Sequence, residues 1–397
     1  MEPVAVLRGH QGDVTCLEFA CEGASGRRKD LLLAGDSGGW VKVWDCCGSR
    51  RPVASVHGHP VAGGVLAARS GLAFGECRDR AGEGRGADLY TQGRDGAVLL
   101  WDVRRGGGLE ACGGFQTRQV SFCAMGVLPS RGLVACATSE LNMVEVWDAR
   151  SGEAARAVHV GGAKGGMCMA ASLYEVRGTG RAMGVFGWED GSVAWVDVGE
   201  GRVVHRSAPL DEVGESVVSL ALCREGRGDP GTLKRDGKGR CWAAVGTTGG
   251  RVALLSFGGD GSDGSAAAAA CPPGVTLKST LAPENRAENR GVGGVAVRPD
   301  ARILATAGWD GRVRIYSVRR PRPVATLKYH TGAVNCVAFA AVDDDNGPSG
   351  VGEDEDALGM DLVPPTGDET EGGRGGRGRR LLASAGADSA IALWDLF

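Results

Sequence analysis

His330, Ser384 and Asp388 are the residue types of a nucleophilic triad, and Trp394 follows six positions after the aspartate. His59, Thr91, Asp95 and Trp101 repeat the set, with the hydroxyl ten and the carboxylate six residues before the indole in both places. Thr306 and Asp310 keep those distances from Tyr316, without a matching histidine. Nucleophilic chemistry needs a hydroxyl aimed into a pocket with a base beside it. Ser384 lies in the middle of an apolar stretch that reads as a strand, so the sets are expected to be structural. Buried polar groups of this kind must satisfy one another. The 13 cysteines raise metal or disulfide chemistry. Their number is odd, no C-x-x-C occurs, and Cys46 and Cys47 are adjacent, while Cys16, Cys123, Cys168 and Cys336 sit in apolar alternating stretches. Reduced, mostly buried thiols of a cytosolic or nuclear protein are expected, with no zinc site. Gly82-Glu83-Gly84-Arg85-Gly86 neither follows a strand at the right spacing nor opens a helix, so it is no nucleotide fingerprint. No catalytic residue, cofactor or metal is expected.

The elements that must position these residues recur along the chain. Val41-Lys42-Val43-Trp44-Asp45, Val98-Leu99-Leu100-Trp101-Asp102 and Val144-Glu145-Val146-Trp147-Asp148 share one pattern. Further copies lie at 193–197, 252–256, 313–317 and 391–395, making seven. Period-two alternation with β-branched residues reads as strand. Asp-Gly turns precede several copies, as at Arg94-Asp95-Gly96, Glu189-Asp190-Gly191 and Trp309-Asp310-Gly311, with Asp388-Ser389 as a variant. Such turns need positive φ and signal hairpins. Gly9-His10, Gly58-His59 and Tyr329-His330 lie upstream of further apolar segments. The whole unit resembles the WD repeat, in which four antiparallel strands make one propeller blade. The expected architecture is all-β: a seven-bladed WD-repeat β-propeller, a single domain over 1–397. Residues 4–8 form a lone strand that is expected to pair into the last blade and close the ring, leaving no long unpaired edge. Extra residues at 76–87, 224–240, 258–274 and 342–379 read as loops. The last is acidic at one end and Arg/Gly-rich at the other, and is expected to be a disordered insertion within the last blade.

Charge and hydropathy exclude other classes. Lys+Arg total 45 against 48 Asp+Glu, for a net charge of −3. Neither nucleic acid nor an anionic membrane is gripped by bulk charge at that balance. No apolar stretch approaches the roughly 18 residues of a membrane span, and the first residues lack the pattern of a secretory leader.

The stretch from Val295 to Ala340, Gly187 to Val198 (GWEDGSVAWVDV), LRGHQGDVTCLEF near the start and the final IALWDLF carry a more specific likeness. They resemble the WD-repeat family of guanine nucleotide-binding protein subunit beta-like protein 1 and ASTRA-associated protein 1. That resemblance implies a non-enzymatic scaffold in nucleus and cytoplasm. It would work with the Tel/Tti co-chaperone complex and RuvB-like ATPases to mature phosphatidylinositol-3-kinase-related kinases, with a link to chromatin remodelling. No G-protein γ subunit is expected, because the first strand begins at Val4 and leaves no room for a coiling helix. The alternative is a substrate receptor of a cullin–RING ubiquitin ligase, through Trp101-Asp102-Val103-Arg104 or Trp147-Asp148-Ala149-Arg150. Candidate partner contacts are Trp309, Arg94 and Glu189, each beside a turn aspartate on the rim of the top face. Trp and Arg are enriched in interface hot spots. Trp188 is expected to pack inward.

Overall fold

The computed structural model describes residues 1–21, 30–60, 63–71, 88–103, 108–119, 121–160, 166–176, 179–210, 214–223, 241–257, 276–281, 291–318, 320–340 and 380–396. The expected loops at 76–87, 224–240, 258–274 and 342–379 lie outside these residues. The described chain forms seven four-stranded antiparallel sheets in a ring, a seven-bladed β-propeller. Six blades are built in sequence order, within 14–57, 65–116, 126–159, 168–206, 217–281 and 292–328. The seventh combines Val334–Phe339, Leu381–Gly386 and Ala390–Asp395 with the N-terminal strand Ala5–Arg8. Among the described residues no helix is long and apolar enough to cross a membrane.

Each blade follows from its alternation. In Trp40–Asp45 the valines and Trp44 are buried while Lys42 is half-buried, and the second strands, such as Leu381–Gly386, are buried along nearly their whole length. Those second strands lie between neighbouring blades, so both their faces are covered, and they read as continuous apolar runs rather than alternating ones. The turn glycines Gly96, Gly191 and Gly311 hold φ of 80°, 81° and 79°, as the Asp-Gly signal requires. In the last blade Ser389 takes the same place at φ 57°, a region that costs an L-residue strain.

Ring closure is by the N-terminal strand. Ala5 pairs with Leu393 and Arg8 with Ala390, and the Val4 amide donates to the Leu393 carbonyl at 2.8 Å. Leu7, only 2% exposed, packs in one cluster with Leu17 and Trp44 of the first blade and Cys336 and Ile391 of the seventh. Arg8 also donates to the Tyr329 hydroxyl at 3.0 Å. The closing strand therefore contributes apolar packing as well as a ladder.

A second regularity shapes the axis. In six of the blades the innermost strand carries a register shift at its second residue: Thr15, Leu66, Met169, Val218, Gly293 and Asn335. A bulge re-aims the side chain it adds, and all six of these residues line the axial channel. The third blade differs, because its innermost strand, Gly126–Leu128, has three residues. Side chains stitch that seam instead. Gln92 is fully buried and accepts from the Met125 amide at 2.8 Å, and its amide donates to Gln119. Gln119 in turn donates to the carbonyls of Cys123 at 2.6 Å and Ser121 at 3.2 Å.

Candidate functional site

The last blade assembles its four polar groups. The Trp394 indole donates to Ser384 Oγ at 2.9 Å, and His330 Nε2 lies 2.9 Å from the same oxygen. Because the Asp388 carboxylate can only accept, Nδ1 of His330 carries the ring hydrogen, and in that tautomer Nε2 accepts from the Ser384 hydroxyl. Nδ1–H then donates to Asp388 Oδ2 at 2.9 Å. The order carboxylate, imidazole, hydroxyl matches a hydrolytic triad, yet Ser384 and Trp394 are both 0% exposed. No substrate reaches that oxygen, so the set works as a buried clamp between the strands.

In the second blade Trp101 donates to Thr91 Oγ1 at 2.8 Å, and His59 Nε2 lies 2.9 Å from it. Asp95 stands further off, 3.8 Å from His59 Nδ1, and accepts from the Ala97 amide at 3.0 Å. Burial pulls the His59 pKa below its ordinary value, against the raising influence of Asp95.

The sixth blade, which has no matching histidine, pairs its carboxylate differently: Asp310 meets Arg314 through both carboxylate oxygens, at 3.0 and 2.5 Å, and Thr306 donates to the Arg314 carbonyl at 3.5 Å. Burial works to raise the Asp310 carboxyl, but the hydrogen bonds and charge of Arg314 outweigh it and hold it low. With no histidine on this blade, a guanidinium four residues along the next strand has taken the carboxylate.

The first blade holds a set that spacing arguments miss. His10 Nδ1 meets Asp36 Oδ2 at 2.7 Å, and both side chains are buried. Asp36 also accepts from the Gly38 and Trp40 amides, each at 3.0 Å. Burial pushes its carboxyl up, but these hydrogen bonds outweigh that and keep it below the usual value. The aspartate sits two residues earlier than the turn position, eight before Trp44, so a search fixed on six passes over it. The signal was Gly9-His10 itself. Ala34 occupies the hydroxyl's place, ten residues before Trp44, and its register against Lys42 matches that of Ser384 against Ala392. Consistently, His10 Nε2 and Trp44 Nε1 are buried with no hydrogen-bond partner.

Cys16, Cys123, Cys168 and Cys336, which sit in apolar alternating stretches of the sequence, are buried. Burial pushes Cys16 up to about 11 and Cys168 well above its ordinary value. Cys123 and Cys168 lie 3.8 Å apart, sulfur to sulfur.

None of the three rim candidates lines the channel, but Arg94 stacks on Phe122 and Trp309 packs on Gly293, both of which do. Arg94 is exposed, with its guanidinium 4.3 Å from the centroid of the Phe122 ring. Glu189 is exposed and accepts from the Met167 amide at 3.2 Å. Trp309 is half-buried, lying against Gly291 and Gly293, where a Cβ on either glycine would collide with the indole. It is thus partly a packing residue of its own blade. Trp188 is fully buried beneath Arg206, whose guanidinium is 5.5 Å from the ring. Phe122, 66% exposed at the channel mouth, was not singled out by the sequence. The channel encloses about 480 Å³. Deeper in it, Glu18 accepts from the Ser70 amide and hydroxyl at 2.8 and 2.7 Å, beside Arg69 at 3.6 Å. At the opposite face Arg150 is exposed, and Arg104 lies outside the described residues.

Comparison with known proteins agrees with this architecture. The WD domain, G-beta repeat, matches residues 1–45 and 281–317. Mouse guanine nucleotide-binding protein subunit beta-like protein 1 is 28% identical over 344 residues, covering 85% of this chain and 90% of the mouse protein. ASTRA-associated protein 1 of Aspergillus niger is 24% identical over 395 residues, covering 86% of this chain and 81% of its own. The Schizosaccharomyces pombe protein of the same name is 53% identical over 45 residues, 11% of this chain and 12% of its own.

Proposed function

Because the chain belongs to the WD-repeat family of guanine nucleotide-binding protein subunit beta-like protein 1 and ASTRA-associated protein 1, we propose that it is a non-enzymatic scaffold for protein partners. The observation that carries this reading is the likeness to the mouse protein along 90% of that protein's length. It is supported by a top rim that presents Arg94, Glu189 and Phe122 to solvent, and by polar sets that are sealed rather than open to substrate. We place it with the Tel/Tti co-chaperone complex and RuvB-like ATPases in the maturation of phosphatidylinositol-3-kinase-related kinases, in nucleus and cytoplasm, with a link to chromatin remodelling. Affinity purification of the tagged full chain with mass spectrometry tests this. Recovery of the co-chaperone subunits supports it, and their absence refutes the assignment.

The second reading, a cullin–RING substrate receptor, is favoured by one observation. Arg150 of Trp147-Asp148-Ala149-Arg150 is exposed, with its amide donating to Asp148 at 2.8 Å. The same purification separates the two, since recovery of the ligase adaptor in place of the co-chaperone would decide for this reading.

A further inference from the structure

We propose that the top mouth of the axial channel is a receptor for one large apolar side chain carried beside a carboxylate on an exposed loop of a protein partner. This rests on the reading that the top face receives protein partners, and it adds the chemistry that such a partner must carry.

Three kinds of observation converge. The first is the wall. Leu66, Met169 and Val218 are bulge residues, half-buried, and they line the channel. On the sixth blade Gly293 and Gly294 line it without side chains, with Gly293 packed under Trp309 and both glycines close to the Asn335 carbonyl. The polar bulge residues do not change this character. Thr15 donates its one hydroxyl hydrogen to the Val65 carbonyl at 2.5 Å, and Asn335 donates to the Val14 carbonyl at 2.9 Å. The Thr15–Val65 and Asn335–Val14 bonds join neighbouring blades, and the side chains of Leu66, Met169 and Val218 offer an occupant an apolar wall. The channel as a whole, about 480 Å³, is ample to admit one large side chain at its mouth.

The second is Phe122. It is 66% exposed although it sits between two buried residues, Ser121 and Cys123. The Cys123 amide donates to Ser121 Oγ at 3.3 Å, and the Gln119 amide holds the carbonyls on either side of the ring. The flanking backbone is thus fixed by buried groups, and the aromatic is displayed on a held loop. An apolar surface ordered before binding loses less entropy on association.

The third is Arg94. Its guanidinium lies over the Phe122 face, and among the described residues no carboxylate pairs with it. Face stacking leaves the in-plane N–H donors free, and those donors match a carboxylate bidentately. The carboxylate among the rim candidates, Glu189, caps the Met167 amide instead. An apolar well with a free guanidinium fork at its lip fits a hydrophobic anchor next to Asp or Glu.

Selection of a random dodecapeptide library on phage against the immobilised full chain tests this. The expected outcome is enrichment of peptides with Leu, Met, Phe or Trp within two positions of Asp or Glu. Synthesised and labelled, those peptides are expected to bind at least tenfold more weakly to Phe122→Ser and about fivefold more weakly to Arg94→Gln. Val324→Ser, at an exposed apolar site on an outer strand, is the control and should bind as wild type. Thermal melting of each variant establishes that it folds. No enrichment, enrichment of basic peptides, or undiminished binding to folded Phe122→Ser overturns the proposal. Purified protein suffices, so peptide capture without co-chaperone recovery would refute the partner assignment alone, and the reverse would refute the receptor alone.

Discussion

Ala34→Ser should stabilise the protein, although it introduces a polar atom into a site that is 0% exposed. In the seventh blade the oxygen at this position accepts from Trp394 at 2.9 Å and serves His330 at 2.9 Å. In the first blade the register is the same, and His10 Nε2 and Trp44 Nε1 are both left without a partner. A serine there supplies an acceptor to the indole and a donor to the imidazole. A buried hydrogen bond is worth about 0.5–1.5 kcal/mol net. Two bonds, less the cost of burying the new hydroxyl, give a gain of roughly 1–2 kcal/mol. Urea unfolding followed by tryptophan fluorescence measures it as a raised midpoint with unchanged slope. The cycle with Trp44→Phe isolates the indole bond: about half the gain should vanish in that background. A serine variant no more stable than wild type, or a gain that survives both Trp44→Phe and His10→Phe, would refute the reasoning.

Deleting Met1–Arg8 removes the strand paired to Ala390–Asp395 and the Leu7 packing; aggregation or a large fall in melting temperature is expected, and a monomeric variant with unchanged melting would sink the closure mechanism. His59 has a folded pKa below its ordinary 6.5, so it contributes stability that is full above about pH 6.5 and is lost as pH falls through the folded value; urea midpoints between pH 7.5 and 5 should decline less in His59→Gln than in wild type. Trp309→Ala should lower stability by about 1 kcal/mol, because the indole covers Gly291 and Gly293, whereas Arg94→Ala should leave melting unchanged; equal melting of both would remove the packing role. Replacing 342–379 with a short Gly/Ser linker should leave folding intact, since closure entropy grows slowly with loop length, and a large loss of stability by urea titration would contradict that.

The blades were legible because their determinants are local. Period two, Asp-Gly turns and the indole–carboxylate ending all lie within a few residues of each other, and each repeats. The clamp at His330, Ser384, Asp388 and Trp394 was legible for the same reason, since its spacing is fixed by strand register. Asp36 escaped because two residues of turn geometry moved the carboxylate while leaving the histidine in place. The partner of Asp310 was not legible, because Arg314 takes its carboxylate and spacing to the tyrosine carries no trace of that pair. Phe122 was opaque for a different cause. Its exposure depends on Gln92, in another blade, reaching across to the Met125 amide and to Gln119, a contact that no pattern along the chain encodes.

The pairing of Ala5 with Leu393 sets the order in which this molecule can be made. On the ribosome, at about 5–20 residues per second, the partner of the first strand emerges roughly 20–80 s after the strand itself. Throughout that interval residues 5–8 carry an open ladder edge with Leu7 uncovered, and the seventh blade does not exist. Six blades can condense behind the ribosome as they appear, but the ring cannot lock until residues 390–395 have emerged. A nascent chain of this design is therefore exposed to chaperone capture, or to pairing with a neighbouring chain on the same polysome, until that strand is out.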